Sequence, residues 1–109
     1  MKEDDSFKEF VIDQLAGFGA AARPMFGGYG LYKGDAFFGI IIKERLYFKT
    51  DATTRLPYEE QGMKPFKASA TQTLKNYMEV PPDILEDAEE LKSWARTAAA
   101  LKKPVNKKR

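Results

Sequence analysis

The chain contains neither cysteine nor histidine. That excludes thiolate nucleophiles, disulfides, thiol-based redox sensing, imidazole bases and almost every ligand set for structural zinc. Serine is scarce. Of the three, Ser6 reads as a helix cap and Ser93 falls inside a helical pattern, and neither they nor Ser69 sits in a G-x-S-x-G elbow or an S-x-x-K pair. No apolar run approaches the roughly 20 residues of a membrane-spanning helix. The opening Lys2-Glu3-Asp4-Asp5 is acidic where a signal peptide is basic and then apolar. These absences predict a cytoplasmic protein with no metal, no cofactor, no membrane contact and no catalytic activity.

What is present is an ordinary globular composition, 43% hydrophobic with eight Phe and five Tyr, enough for one core in 109 residues and too little for two. The net charge of +2 is unevenly placed. Five of the 18 basic residues (Lys102, Lys103, Lys107, Lys108 and Arg109) lie in the last eight positions, which hold no acid. Without them, 13 positive charges face 16 negative ones, a net of −3. A body of that sign is a poor phosphate track, so non-specific nucleic-acid contact is expected only from the tail. The expected division is one domain over 1–103 and a basic mobile tail over 104–109.

Ser6-Phe7-Lys8-Glu9 has the form of a capping box, followed by Phe7, Phe10, Val11, Leu15 and Phe18 at helical spacing, with Gly17 or Gly19 as the stop. From Ala22 to Thr50 the pattern turns to short Phe-, Tyr- and Ile-rich runs broken at Gly27-Gly28, Lys33-Gly34-Asp35 and Lys43-Glu44-Arg45. This predicts four antiparallel strands near 23–27, 29–33, 36–42 and 45–49, with a bulge or tight corner at the Gly-Gly step rather than a clean two-residue hairpin. The third run, apolar throughout, belongs at the centre of the sheet. Asp51 is placed to cap a short helix through Leu56 and Tyr58 that ends at Gly62. A short strand and loop over 65–70 and a further strand over 74–80 follow, the latter stopped by Pro81-Pro82. Asp87-x-x-Glu90 is a second capping box, and Leu91, Trp94, Ala95, Ala98 and Leu101 make the stripe of a last helix running to about Lys103. The predicted class is α+β, an antiparallel meander packed in two layers against N-terminal and C-terminal helices.

Several functional patterns fail on inspection. Glu59-Glu60 and Glu89-Glu90 are adjacent on helices, so their carboxylates point about 100° apart and cannot converge on one substrate. Phe26-Gly27-Gly28-Tyr29-Gly30 lacks the Gly-Lys-Ser/Thr ending and following helix of a phosphate loop. Lys33 to Ile40 has Asp35 where an RNA-recognition strand carries a stacking ring. Alternation, by contrast, can bring Arg23, Tyr32, Tyr47 and Lys49 onto one sheet face beside Gly27 and Gly28. Tyrosine mixed with Arg and Lys is the composition of interaction hot spots. On that reading Tyr47 and Arg23 serve partner capture; on the other, the tyrosines roof the core with their hydroxyls in water while the cations lie along it with their charges in solvent. A third function class has Arg23 and Lys49 holding a small anionic ligand near the glycine corner.

Arg23-Pro24-Met25-Phe26-Gly27-Gly28-Tyr29-Gly30-Leu31-Tyr32 resembles the R-x-M-F-G-G-x-G-L-Y signature of the TfoX N-terminal domain family. Further matches follow in order: Phe38-Gly39-Ile40-Ile41, Leu46-Tyr47-Phe48-Lys49-Thr50-Asp51, Gly62 with Pro65-Phe66, Tyr77-Met78-Glu79-Val80-Pro81, and Leu91 with Trp94-Ala95. They cover about residues 5–101. The resemblance implies an antiparallel sheet packed on helices and a kinship with bacterial competence regulators, which work with transcription factors. It supplies no catalytic residue. Lys43-Glu44-Arg45 departs from the family's D-G-like turn, and full-length competence regulators also carry a second, helical domain. The resulting expectation is a regulatory or adaptor domain that binds a protein partner, a transcription factor or a second copy of itself in a homodimer. Direct nucleic-acid binding through the tail and anion binding are the alternatives.

Overall fold

The computed structural model describes residues 2–25 and 27–101, so Phe26 and the basic tail from Lys102, with the expected boundary at 104, lie outside the described residues. The element order is α1 (Lys2–Gln14), β1 (Ala20–Met25), β2 (Gly28–Lys33), β3 (Ala36–Ile42), β4 (Arg45–Lys49), α2 (Leu56–Glu60), β5 (Pro65–Lys67), β6 (Thr73–Glu79), α3 (Pro82–Leu85) and α4 (Ala88–Ala100). All strand pairings are antiparallel, in the order β1-β2-β3-β4-β6-β5. The fold is α+β, and β3 sits inside the sheet as its unbroken apolar run required.

Helix α1 starts a turn before the Ser6 box, so Ser6 lies within the helix and does not cap it. The physical reason is the acidic stretch Glu3-Asp4-Asp5, which suits the positive end of the helix dipole and lets the helix begin earlier. Its buried stripe is Val11 and Leu15, with Phe18 in the turn beyond; Phe10 is 39% exposed. Asp51 caps the turn ahead of α2 instead of α2 itself. Its carboxylate accepts the backbone N–H groups of Thr54 and Thr53 at 2.8 and 2.9 Å, and these bonds, foremost that of Thr54, hold its pKa below the ordinary carboxylate value.

At the start of α4, the Asp87 carboxylate accepts the Glu90 N–H at 3.2 Å. The Asp87 N–H already donates to the Ile84 carbonyl at 3.1 Å, so the reciprocal arm of a capping box has no donor left to satisfy. The helix ends at Ala100, short of Lys103, because Leu101 has turned to extended backbone (φ −70°, ψ 127°). The one-turn helix α3 had no sequence forecast: Pro81-Pro82 reads as a strand stop, and Pro82 also suits the first turn of a helix.

One face of the sheet carries the main core, in which Leu31, Phe38, Ile41, Leu46 and Phe48 meet Val11, Leu15, Leu91, Ala95 and Ala98 of the helices. Small Ala95 and Ala98 let α4 lie close to β3 and β4. Phe38 stacks edge-on to Phe18 at 5.6 Å and against Phe48 at 5.7 Å. It reaches this face through a bulge: Leu31 pairs with Gly39 but Tyr32 pairs with Phe37, leaving Phe38 as the extra residue. No bulge occurs at the Gly-Gly step, where Met25 pairs with Gly28 and only positions 26 and 27 connect the strands.

The β3–β4 connection is a two-residue hairpin with Lys43 at φ 53° and Glu44 at φ 61°. Left-handed backbone at two non-glycine residues is unfavourable, and Asn-Gly is the pair this turn prefers. Replacing Lys43-Glu44 with Asn-Gly is expected to raise stability by about 1–2 kcal/mol. Chemical denaturation with an unchanged slope and a higher midpoint is the result that checks it.

Candidate interaction face

The second sheet face is covered by no helix among the described residues. Strand register fixes its rows. Arg23 lies opposite Gly30, Gly30 opposite Ile40, Ile40 opposite Tyr47 and Tyr47 opposite Glu79. In the next row Ala21 pairs with Tyr32 and Tyr32 with Phe37, while Lys49 pairs with Tyr77. The rings of this row touch, Tyr32 to Phe37 at 5.1 Å and Phe37 to Tyr77 at 5.7 Å. The Arg23 guanidinium stands 4.8 Å over the Tyr32 ring, a cation–π contact that presents the charge while covering one face of the ring.

Gly30 makes this arrangement possible. A Cβ there would lie 2.5 Å from Met25 Sδ and 2.9 Å from Phe37 Cε1, so Met25, Phe37 and Tyr32 close over the position that a side chain would take. Tyr32, Phe37, Tyr77, Met25 and Ile42 all remain half-buried. A groove of about 730 Å³ runs along Tyr32, Phe37 and Tyr77 to Leu101 at the end of α4. Burial, with the neighbouring Tyr32, pushes the Tyr77 phenol up from its ordinary value. Its hydroxyl therefore stays a neutral hydrogen-bond donor across the physiological range.

The sequence-predicted residues fall into distinct places. Arg23 and Tyr32 share this face and touch each other. Tyr47 faces the same way but is only 8% exposed, because Phe66 of β5 lies on it with ring centroids 4.9 Å apart. The expectation that Tyr47 meets a partner is corrected accordingly: with Ile40 and Phe66 it forms a small second core. Burial, then the nearby Glu79 carboxylate, raises its phenol pKa, with Arg45 acting in the opposite sense. Glu79 itself is held by Arg45 Nη1 at 3.0 and 3.2 Å.

Gly27 (φ 79°) and Gly28 serve the turn and the close packing of strands. Lys49 lies at the opposite end of the sheet, beyond Phe48, which pairs with Gly39. Its ammonium donates to the Leu101 carbonyl at 3.4 Å. An Arg23–Lys49 clamp beside the glycine corner is therefore not formed. The cations Lys102, Lys103, Lys107, Lys108 and Arg109 lie outside the described residues. Phe37, Met25 and Tyr77 are the members of the face that alternation did not single out: the Phe38 bulge disguises the period of β3, and Tyr77 joins the row only through the pairing of β6 with β4. No three acidic side chains converge to hold a metal ion among the described residues.

Residues 13–101, which include this sheet in full, match the family model of the TfoX N-terminal domain. The chain belongs to the TfoX N-terminal domain family. Among its relatives, the DNA transformation protein TfoX1 of Aliivibrio fischeri (strain ATCC 700601 / ES114) is 30% identical over 96 residues, covering 80% of this chain and 46% of the relative. The chain thus matches about half the length of that curated relative. Within this TfoX N-terminal domain the signature residues have local explanations: Arg23 covers Tyr32, Met25 covers Gly30, and Gly28 lies against β3.

Proposed function

We propose that this TfoX N-terminal domain is a non-catalytic regulatory or adaptor module that holds a protein partner on its open aromatic face, in the control of DNA transformation competence. The observation that carries the reading is the row Tyr32, Phe37 and Tyr77, half-buried, in mutual contact and edged by Arg23. Tyrosine, arginine and methionine around an apolar centre are the residues enriched where proteins meet. The kinship with a DNA transformation protein supports the process. The net charge of −3 before Lys102 favours a protein over a phosphate backbone as the occupant.

The test exchanges the matched segment of the Aliivibrio fischeri relative for this chain and measures transformation frequency. The exchanged protein is expected to transform, and an Arg23→Ala/Phe37→Ala double variant of it to fall at least about tenfold, a loss of about 1.4 kcal/mol in binding. Both side chains border solvent, so the variant remains folded and melts cooperatively. Undiminished transformation by the folded double variant would overturn the reading. Sedimentation of the purified domain reads self-association, which makes the partner a second copy. Fluorescence anisotropy with duplex DNA across a salt series, using the full chain and one ending at Leu101, reads the nucleic-acid alternative. Sequence-selective binding by the shorter chain at physiological salt would replace the adaptor with a direct DNA-binding regulator.

A further inference from the structure

Away from the open face, a cavity of about 240 Å³ lies between α4 and the segment formed by α2 and its preceding turn. Its polar groups are of one kind. Lys49 contributes an ammonium, Thr53 and Thr54 line it from the turn, and Ser93 and Thr97 from α4. No Asp or Glu lines it. Lys49 is half-buried, and no described carboxylate forms an ion pair with it. Its long bond to the Leu101 carbonyl occupies one of three N–H donors. A partly desolvated ammonium with no counter-ion favours an anion beside it.

The hydroxyls extend the same preference. Thr54 Oγ1 accepts the Asp51 N–H at 2.9 Å and gives its own proton to the Asp51 carboxylate, and the Thr97 hydroxyl donates to the Ser93 carbonyl at 3.3 Å, so among the described residues the lining hydroxyls with a proton to offer are those of Thr53 and Ser93. Tyr58, which also lines the cavity, is only 4% exposed, and its hydroxyl has no hydrogen-bond partner among the described residues. Burial pushes that phenol up from its ordinary pKa, so it is a neutral donor. Buried donors are rarely left unmatched, and a ligand oxygen is one way to match this one. The remaining wall is apolar, formed by Pro57, Trp94 and Ala98. Trp94 stands edge-on to Tyr58 with ring centroids 4.7 Å apart. The volume lies below the range of drug-sized sites, which limits the occupant to a small molecule.

We propose that this cavity binds a small organic anion, a carboxylate on a short planar or apolar body, with Lys49 as its counter-ion and the hydroxyls of Tyr58, Thr53 and Ser93 as donors. The site is built on the helical layer, and Lys49, which also borders the Leu101 end of the groove on the open face, is the residue the two share.

Trp94 is the sole tryptophan, so its emission reports on the cavity directly. Benzoate, acetate and inorganic phosphate are titrated into the full chain, with benzamide as the uncharged match to benzoate. Benzoate is expected to change Trp94 emission saturably at millimolar concentration and to raise the melting temperature, since a ligand that binds the native state stabilises it. Benzamide should bind at least about tenfold more weakly. Lys49→Met should bring benzoate down to the level of benzamide, and Tyr58→Phe, which keeps the ring, should weaken it severalfold. Should Lys49→Met fail to fold, Ser93→Ala removes one hydroxyl from an exposed helical position and is expected to weaken benzoate without lowering stability. A flat response to both carboxylates, equal binding of benzoate and benzamide, saturation by phosphate alone, or full affinity in folded Lys49→Met each overturns the proposal. In the last case Lys49 does no more than cap the end of α4.

Discussion

Gly28→Ala is expected to leave almost no folded protein at physiological temperature. A Cβ at that position would sit 2.0 Å from the Ile41 carbonyl oxygen and 3.1 Å from Ile42 Cα, both backbone atoms of the neighbouring strand. No rotamer change relieves such a contact, so β2 and β3 must separate where β2 begins. Overpacking of that kind costs more than about 3 kcal/mol, a large part of the roughly 5–15 kcal/mol that holds a domain together. Gly17→Ala is the matched control. Its φ is 89° but nothing lies within 4 Å of the added Cβ, so the cost is confined to backbone strain, about 1–2 kcal/mol. Thermal melts followed by circular dichroism separate the two. A Gly28→Ala protein that melts as high as Gly17→Ala would show that β2 and β3 do not approach as described.

Phe38→Ala has the second largest expected effect, a loss of about 3–5 kcal/mol for an aromatic truncated in a tight core. Phe38 is fully buried and touches both Phe18 and Phe48, so its removal opens a void between the sheet and the helices. Its neighbour Phe37 lies on the other face, half-open, between Tyr32 and Tyr77. Phe37→Ala is accordingly expected to cost less than half as much while impairing the partner-dependent readout. Urea denaturation of the two variants measures the difference, since adjacent phenylalanines of one type differ only in the surface they cover. Equal losses would place both rings in the same layer and remove the basis of the interaction face.

Much of this architecture is written locally. Gly34-Asp35 marks the β2–β3 turn, the apolar run 36–42 marks a central strand, and Asp87 with the stripe from Leu91 marks α4; each rests on residues a few positions apart. The limits of α1 were harder to read, because an acidic stretch that extends a helix competes with a capping box that starts one. At β3 the bulge hides the alternation, so Phe38 and Gly39 both serve the helical face and Phe37 falls to the open one. Tyr47 illustrates the opposite difficulty. Its alternation places it on the correct face, but nothing near it in sequence announces that Phe66 will cover it.

By itself the sequence determined the chemical inventory, the order of most elements and the family. Those follow from residue type and from spacings of two to four positions, which is the range over which helix and strand periodicity acts. Tertiary structure decided which aromatic residues are core and which are surface, and what Lys49 meets. Pairing of β4 with β6, and of β6 with β5, carries Phe66 over Tyr47 and sets Tyr77 beside Phe37; packing of α4 on α2 brings Trp94, Tyr58 and the hydroxyls around one ammonium. Such contacts join segments far apart along the chain. They depend on which strands and helices become neighbours, and local periodicity carries no record of that choice.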